Sequence, residues 1–106
     1  MATSQLDTIP ASKDVTTSMV GTWSVEFAAS IPAGATISTA SAALFDVRAN
    51  AAVAGFVTNA SISLTAINVT WTASVLTKGK TYRLETLATL NTGAKVELLT
   101  TVRCVA

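Results

Sequence analysis

The carboxylates are the side chains of this sequence that could perform acid–base chemistry. There are six, namely Asp7, Asp14, Glu26, Asp46, Glu85 and Glu97. Glu85 and Glu97 could meet across the last predicted hairpin, and a glycosidase needs two carboxylates that face one cleft. Both alternate with apolar residues along their strands, however, which is typical of the solvent-facing side of a sheet. The sequence contains no histidine, so the commonest general base and metal ligand is absent.

The single cysteine, Cys104, is the other group with intrinsic reactivity. With only one cysteine, no intrachain disulfide can form. Cys104 alternates with apolar residues, which favours a small buried side chain; a reactive thiol is the alternative, but no histidine is present to activate it. The sequence also lacks a calcium loop, a cysteine–histidine metal motif and a glycine-rich phosphate loop. We therefore predict a non-enzymatic protein with no catalytic residue, no cofactor and no metal site.

Positive charge is densest at Lys78, Lys80 and Arg83, around one predicted turn. These residues could bind a phosphate group, but three charges on a turn are more typical of a solvated hairpin end. The net charge is +1 and only 12% of the residues are charged, which argues against nucleic acid as a partner. Hydrophobic residues make up 50%. Such a share fits either a small, tightly packed sandwich or a surface covered by partner subunits.

Trp23 and Trp71 could form a platform on which a sugar ring stacks. Each shares its strand face with apolar residues, however, a pattern typical of core positions. Tyr82 follows a glycine turn at the start of a strand, as does the tyrosine corner of Ig-like sandwiches, whose hydroxyl bonds the preceding loop. The predicted core comprises Trp23, Val25, Phe27, Val69, Trp71, Tyr82 and Leu84.

The hydrophobic patterning predicts strands rather than helices. Strands are expected at 18–28, 36–47, 61–64, 67–76, 81–90 and 95–105, with the last three forming one meander. A turn is expected at 31–34, and Gly21 marks a bulge or a close backbone approach. The alanine-rich part, 40–57, could be strand, loop or short helix; we favour strand to residue 47 and a connection over 48–54.

The fold class that follows is all-β, an Ig-like antiparallel β-sandwich of about seven strands with an extended N-terminal arm. The arm covers residues 1–17, which are polar and could also include a first short strand, and the sandwich domain covers residues 18–106. No apolar run reaches the length of a membrane span and residues 1–7 lack the features of a signal peptide, so we expect synthesis in the cytoplasm and no membrane partner.

Short segments between Lys13 and the end of the chain together match a known pattern. They are Lys13-Asp14, the strand around Trp23, the turn Ile31-Pro32-Ala33-Gly34-Ala35-Thr36-Ile37-Ser38, the alternating strand 69–75, Gly79-Lys80-Thr81-Tyr82 and Leu90-Asn91-Thr92-Gly93. This combination resembles a family of small bacteriophage virion proteins, the fiber–tail adaptor proteins. The chain departs from the family where the glycine-rich turn before the tyrosine is reduced to Lys78-Gly79, and where residues 40–59 are longer and richer in alanine.

The resemblance implies a virion structural protein, made in the host cytoplasm, that attaches fibers or other components to the phage tail. Its partners would be other virion proteins (tail, fiber or capsid subunits), and it would be a homo-oligomer or stand in many copies in a symmetric assembly. A capsid decoration or cement protein on the phage head is the first alternative. A carbohydrate- or host-surface-binding module is the second. Loops, edge strands and the N-terminal arm are all candidate docking surfaces.

Overall fold

The computed structural model describes residues 6–8, 12–27, 31–63 and 65–105, and of residues 6–8 it describes the backbone alone. Nine strands lie within this part of the chain. They are β1 Leu6–Thr8, β2 Ser12–Val15, β3 Val20–Glu26, β4 Ile37–Asp46, β5 Ala51–Val53, β6 Val57–Ser63, β7 Ala66–Thr72, β8 Thr81–Leu90 and β9 Lys95–Cys104. A short 3-10 helix, Ala73–Val75, follows β7. The prediction of an all-β chain is confirmed.

The strands form two sheets that pack against each other. One sheet has four strands in the order β1-β3-β7-β6, and the other has five in the order β2-β9-β8-β4-β5. Neighbouring strands are antiparallel except at two edges, where β1 runs parallel to β3 and β2 runs parallel to β9. Both short edge strands come from the predicted N-terminal arm. The described part of that arm therefore lies on the sheets of its own chain, while residues 1–5 and 9–11 lie outside the described residues.

The predicted meander over 67–105 is wrong for its first strand, whereas its last two strands, β8 and β9, form the expected hairpin. β7 belongs to the four-stranded sheet, whereas β8 and β9 belong to the five-stranded sheet, so residues 73–80 cross between the sheets. β7 ends at Thr72, whose hydroxyl accepts a hydrogen bond from the Ser74 N–H and caps the 3-10 helix. The predicted alternation holds up to Ala73, which is buried, but Val75 is 43% exposed. Alternation identifies the buried face of a strand and carries no information about its neighbour.

The remaining strand predictions agree with the structure except around the alanine-rich segment. The strands expected at 18–28, 36–47, 81–90 and 95–105 correspond to β3, β4, β8 and β9; Ala28 and Leu64, at the ends of two predicted strands, lie outside the described residues. Residues 40–46 continue β4, but the expected connection 48–54 contains β5, and β6 begins at Val57 rather than 61. Nine strands are described, whereas about seven were predicted. The difference arises because β1, β2 and β5 have only three or four residues, too few for a periodic signal.

Two clusters of buried side chains fill the space between the sheets. One is centred on Trp23, Phe56 and Trp71, and the other on Phe27, Ile67 and Leu90. All seven residues predicted as core are buried: Trp23, Val25, Phe27, Val69, Trp71, Tyr82 and Leu84. Each large apolar side chain buried in this way stabilises the fold by about 1.5–3 kcal/mol. Trp23 and Trp71 are therefore part of the core and are not available to form a binding surface.

Candidate docking surfaces

The two tryptophans lie inside the sandwich, in one aromatic cluster. The ring centroids of Trp23 and Trp71 are 4.4 Å apart, and Phe56 stacks on Trp71 at 5.5 Å. Trp23 is 1% exposed and Trp71 is 3% exposed. A sugar-stacking platform needs an exposed ring face, so these two residues cannot form one.

Tyr82 joins the core to the crossover between the two sheets. Its ring is buried, and its hydroxyl oxygen accepts a hydrogen bond from the Thr77 N–H at 2.9 Å. The prediction that this hydroxyl bonds the preceding loop is confirmed. This hydrogen bond links the crossover, residues 73–80, to Tyr82, the first buried residue of β8. It therefore helps to position the turn that lies between Thr77 and β8.

Asp46 links two turns at the same end of the sandwich. Its Oδ1 accepts hydrogen bonds from the N–H groups of Arg48 at 3.0 Å and Ala49 at 3.2 Å, while its Oδ2 lies 3.2 Å from Lys80 Nζ. The hydrogen bond from Ala49, followed by that from Lys80, holds the pKa of Asp46 below its ordinary value, although partial burial of the carboxylate opposes this. We did not predict this contact from the sequence. An aspartate directly before a turn was the available signal.

The three residues of the predicted basic group, Lys78, Lys80 and Arg83, do not share a binding partner. Lys80 binds Asp46, whereas Arg83 binds Glu85 at 2.7 Å and places its guanidinium over the ring of Phe45, 5.9 Å from the centroid. Lys78 is exposed on the turn. Because two of the three cations already have acidic partners, the structure does not bring them together as a phosphate site.

Glu85 and Glu97 share the outward side of the last hairpin as diagonal neighbours and are not directly opposite each other. In the β8–β9 register, Glu85 lies opposite Leu99 and Glu97 lies opposite Leu87. Both glutamates are on the outward side of the five-stranded sheet, and Glu85 is bound to Arg83. Two carboxylates that flank a glycosidic bond must face one cleft. A sheet surface with an ion pair provides no such arrangement.

One end of the sandwich, the 78–81 end, comprises the turns 16–19, 47–50, 54–56 and 73–81 together with Val20 and Val105. Main-chain hydrogen bonds connect these segments, among them Ala73 N–H to Met19 O at 2.9 Å and Gly79 N–H to Cys104 O at 2.7 Å. Five of the seven exposed large hydrophobic residues of the described chain lie here, namely Met19, Val20, Val47, Val75 and Val105. Arg48 and Lys78 are exposed at the same end. This end is therefore both apolar and positively charged.

The opposite end, the 91–94 end, comprises the turns 31–36 and 91–94. The two turns are joined by two hydrogen bonds, from Asn91 N–H to Thr36 O at 2.9 Å and from Thr36 N–H to Asn91 Oδ1 at 3.2 Å. Gly34 and Gly93 have φ of 84° and 91°, a conformation that favours glycine, and so allow each chain reversal. Neither turn contains a charged residue. The two turns are therefore uncharged and joined to each other, and the exposed Lys95 follows directly after the second turn.

No protein-family model matches this chain, and neither a curated protein nor a solved structure matches it. Among the described residues, no helix is long and apolar enough to cross a membrane. The same part of the chain holds no cluster of three or more acidic, cysteine or histidine side chains that could hold a metal ion.

Proposed function

We propose that this chain is a non-enzymatic bacteriophage virion structural protein, an adaptor that attaches fibers or other components to the tail. The observation that carries the proposal is the pair of hydrogen bonds between Thr36 and Asn91. It unites two of the segments on which the family resemblance rests, 31–38 and 90–93, into one surface. A rigid surface loses little conformational entropy when a partner binds, which suits a protein that works by adhesion.

An Ig-like arrangement is part of the proposal. The strand order β2-β9-β8-β4-β5 facing β1-β3-β7-β6 supports it. The buried ring of Tyr82, with its hydroxyl bonded to Thr77, supports it as well, because this contact corresponds to the tyrosine corner of such sandwiches. In this role the sandwich is a rigid block that holds its two ends at a fixed separation.

The chemical difference between the two ends favours an adaptor over a capsid decoration protein. An adaptor must contact two different neighbours, and distinct surfaces discriminate between them. The 78–81 end offers exposed valines beside Arg48 and Lys78, whereas the turns 31–36 and 91–94 at the other end contain no charged residue. A decoration protein needs one surface that faces the shell. With Trp23 and Trp71 buried, nothing observed in the sandwich favours the carbohydrate-binding alternative.

Mass spectrometry of purified particles tests the proposal. We expect the chain to be present in the virion, and antibody labelling in electron micrographs to place it on the tail. Label distributed over the head would instead identify the chain as a capsid decoration protein. Absence from particles that contain their other structural proteins would refute both virion assignments.

A further inference from the structure

The four edges of the two sheets differ in how well they are protected against pairing. β1, β2 and β5 are edge strands of three or four residues, and short edge strands pair poorly with other chains. The fourth edge, β6, has seven residues, Val57–Ser63, with neither a charged residue nor a proline among them. Charges and proline are the usual protection of an edge strand. β6 is therefore the edge most open to an added strand.

A regular run of β6 remains available beyond a local irregularity. The pairing with β7 shifts register between Val57 and Asn59 and is regular from Asn59 to Ser63. In this run Ala60 and Ile62 lie opposite Val69 and Ile67, two core residues that are fully buried. Ile62 itself is 40% exposed. A large apolar side chain on the core side is thus uncovered at the edge of the sheet.

We propose that β6 pairs antiparallel with β6 of a second copy of this chain, about a two-fold axis at Ser61. In this register Ile62 lies opposite Ala60 of the second copy, so a large side chain meets a small one on the core side. On the outward side Asn59 meets Ser63, and Ser61 meets its own counterpart. A strand without charges pairs with itself without like-charge repulsion. The contact is isologous and closes at two copies.

This pairing would leave both docking ends accessible. β6 runs along the side of the sandwich, from Phe56 near the 78–81 end to the link with β7 near the 91–94 end. Antiparallel pairing therefore places the 78–81 end of one copy beside the 91–94 end of the other. The inference rests on the part of the proposed function in which copies of the chain associate. Its test in solution is nevertheless independent of whether the chain occurs in virions.

Sedimentation of the purified chain over a concentration series tests the pairing. A five-residue strand contact is smaller than the standard interface of about 800 Å² per partner, so we expect a reversible dimer with a Kd in the micromolar range or weaker. Ile62→Lys should raise this Kd by about tenfold or more. The matched control is Leu99→Lys, which changes another exposed aliphatic residue, 53% exposed, and should leave the Kd unchanged. Circular dichroism establishes that both variants are folded.

Cross-linking supplies a second test that does not depend on a destabilising charge. Ser61→Cys should form a covalent dimer with a short bifunctional thiol reagent, because directly opposed residues have Cβ atoms about 4.5–5.5 Å apart, at or beyond the separation usual for a direct disulfide. Ser41→Cys is the control, since Ser41 is exposed on β4 in the other sheet and Cys104 is buried in both variants. A wild-type chain that stays monomeric while both cysteine variants cross-link equally slowly would overturn the pairing. So would a dimer that Ile62→Lys leaves intact.

Discussion

The indole ring of Trp71 lies directly against Gly21. The two residues are opposite each other in the β3–β7 register, and a β-carbon placed on Gly21 would be 3.3 Å from the ring. Of the two sequence-based expectations for Gly21, a bulge or a close approach, the structure shows the close approach. Trp71 also contacts Trp23 and Phe56. A side chain at position 21 would therefore have to displace a ring that is packed on its other sides.

Gly21→Val should destabilise the fold by overpacking. Inserting apolar atoms into a filled core typically costs about 1–3 kcal/mol. Urea unfolding followed by tryptophan fluorescence measures this free energy. Ser24→Val, a change on the outward side of the same strand, is the control and should have a much smaller effect. A Gly21→Val variant as stable as wild type would show that the aromatic cluster has room to move.

Tyr82→Phe should isolate the contribution of the hydroxyl group to stability. The ring stays in the core, while the Thr77 N–H loses its acceptor, at an expected cost of about 1 kcal/mol. Tyr82→Ala removes the ring as well and should cost about 3–5 kcal/mol. The free energy of unfolding of the two variants separates the two contributions. Equal stability of wild type and Tyr82→Phe would contradict a structural role for the hydrogen bond.

Asp46 should make stability depend on pH in the acid range. Its pKa is lower in the folded chain, so its contribution is complete above the unfolded value of about 3.9 and is lost as the pH falls through the folded value. Asp46→Asn should therefore be less stable at neutral pH and lose less stability on acidification. Unfolding midpoints measured between neutral and acidic pH provide the comparison.

The control for Asp46 is Asp14→Asn, because Asp14 pairs with Arg103 at a more exposed position. Exposed ion pairs contribute little, so this variant should be less perturbed at neutral pH. Parallel pH profiles for wild type and Asp46→Asn would refute the role assigned to this carboxylate.

Asn91→Ala should impair assembly more than it impairs folding. It removes the side-chain acceptor of the Thr36 N–H, which costs about 1 kcal/mol, but it loosens the junction of the two turns at the 91–94 end. We expect fewer copies in particles that are assembled with this variant, as measured by quantitative mass spectrometry. Thr92→Ala changes an exposed neighbour on the same turn and is the control. Equal incorporation of the two variants would show that the junction between Thr36 and Asn91 is not part of the docking surface.

The buried faces of the strands could be predicted because the signal is local. Trp23 and Val25 lie two residues apart, and a β-strand turns successive side chains to opposite faces, so their common burial follows from spacing alone. The turn at Gly34 and the position of Tyr82 after a glycine turn were predictable for a similar reason. In each case the conformation depends on a few adjacent residues.

The candidate surfaces were less predictable because they combine distant parts of the chain. The residues 42–45 are compatible with a helix by propensity, but the strand favoured up to residue 47 agrees with β4, which pairs with β8. The residues Lys78, Lys80 and Arg83 are close in sequence, yet Lys80 and Arg83 bind different acids, Asp46 and Glu85. Ile62 belongs to a predicted strand in which polar and apolar residues alternate. Its side chain is nevertheless exposed, because β6 is an edge strand of its sheet.

The sequence alone determined the seven predicted core residues, turns such as that at Gly34, and that no histidine-based chemistry is available. The tertiary structure decided which strands are neighbours: β7 and β8 lie in different sheets, although only eight residues, 73–80, separate them. It also decided that Asp46 meets Lys80, and that Thr36 meets Asn91 across 55 positions. The physical reason is that conformational preference acts over a few residues, whereas the choice of a hydrogen-bonding partner is made by the packing of the whole sandwich.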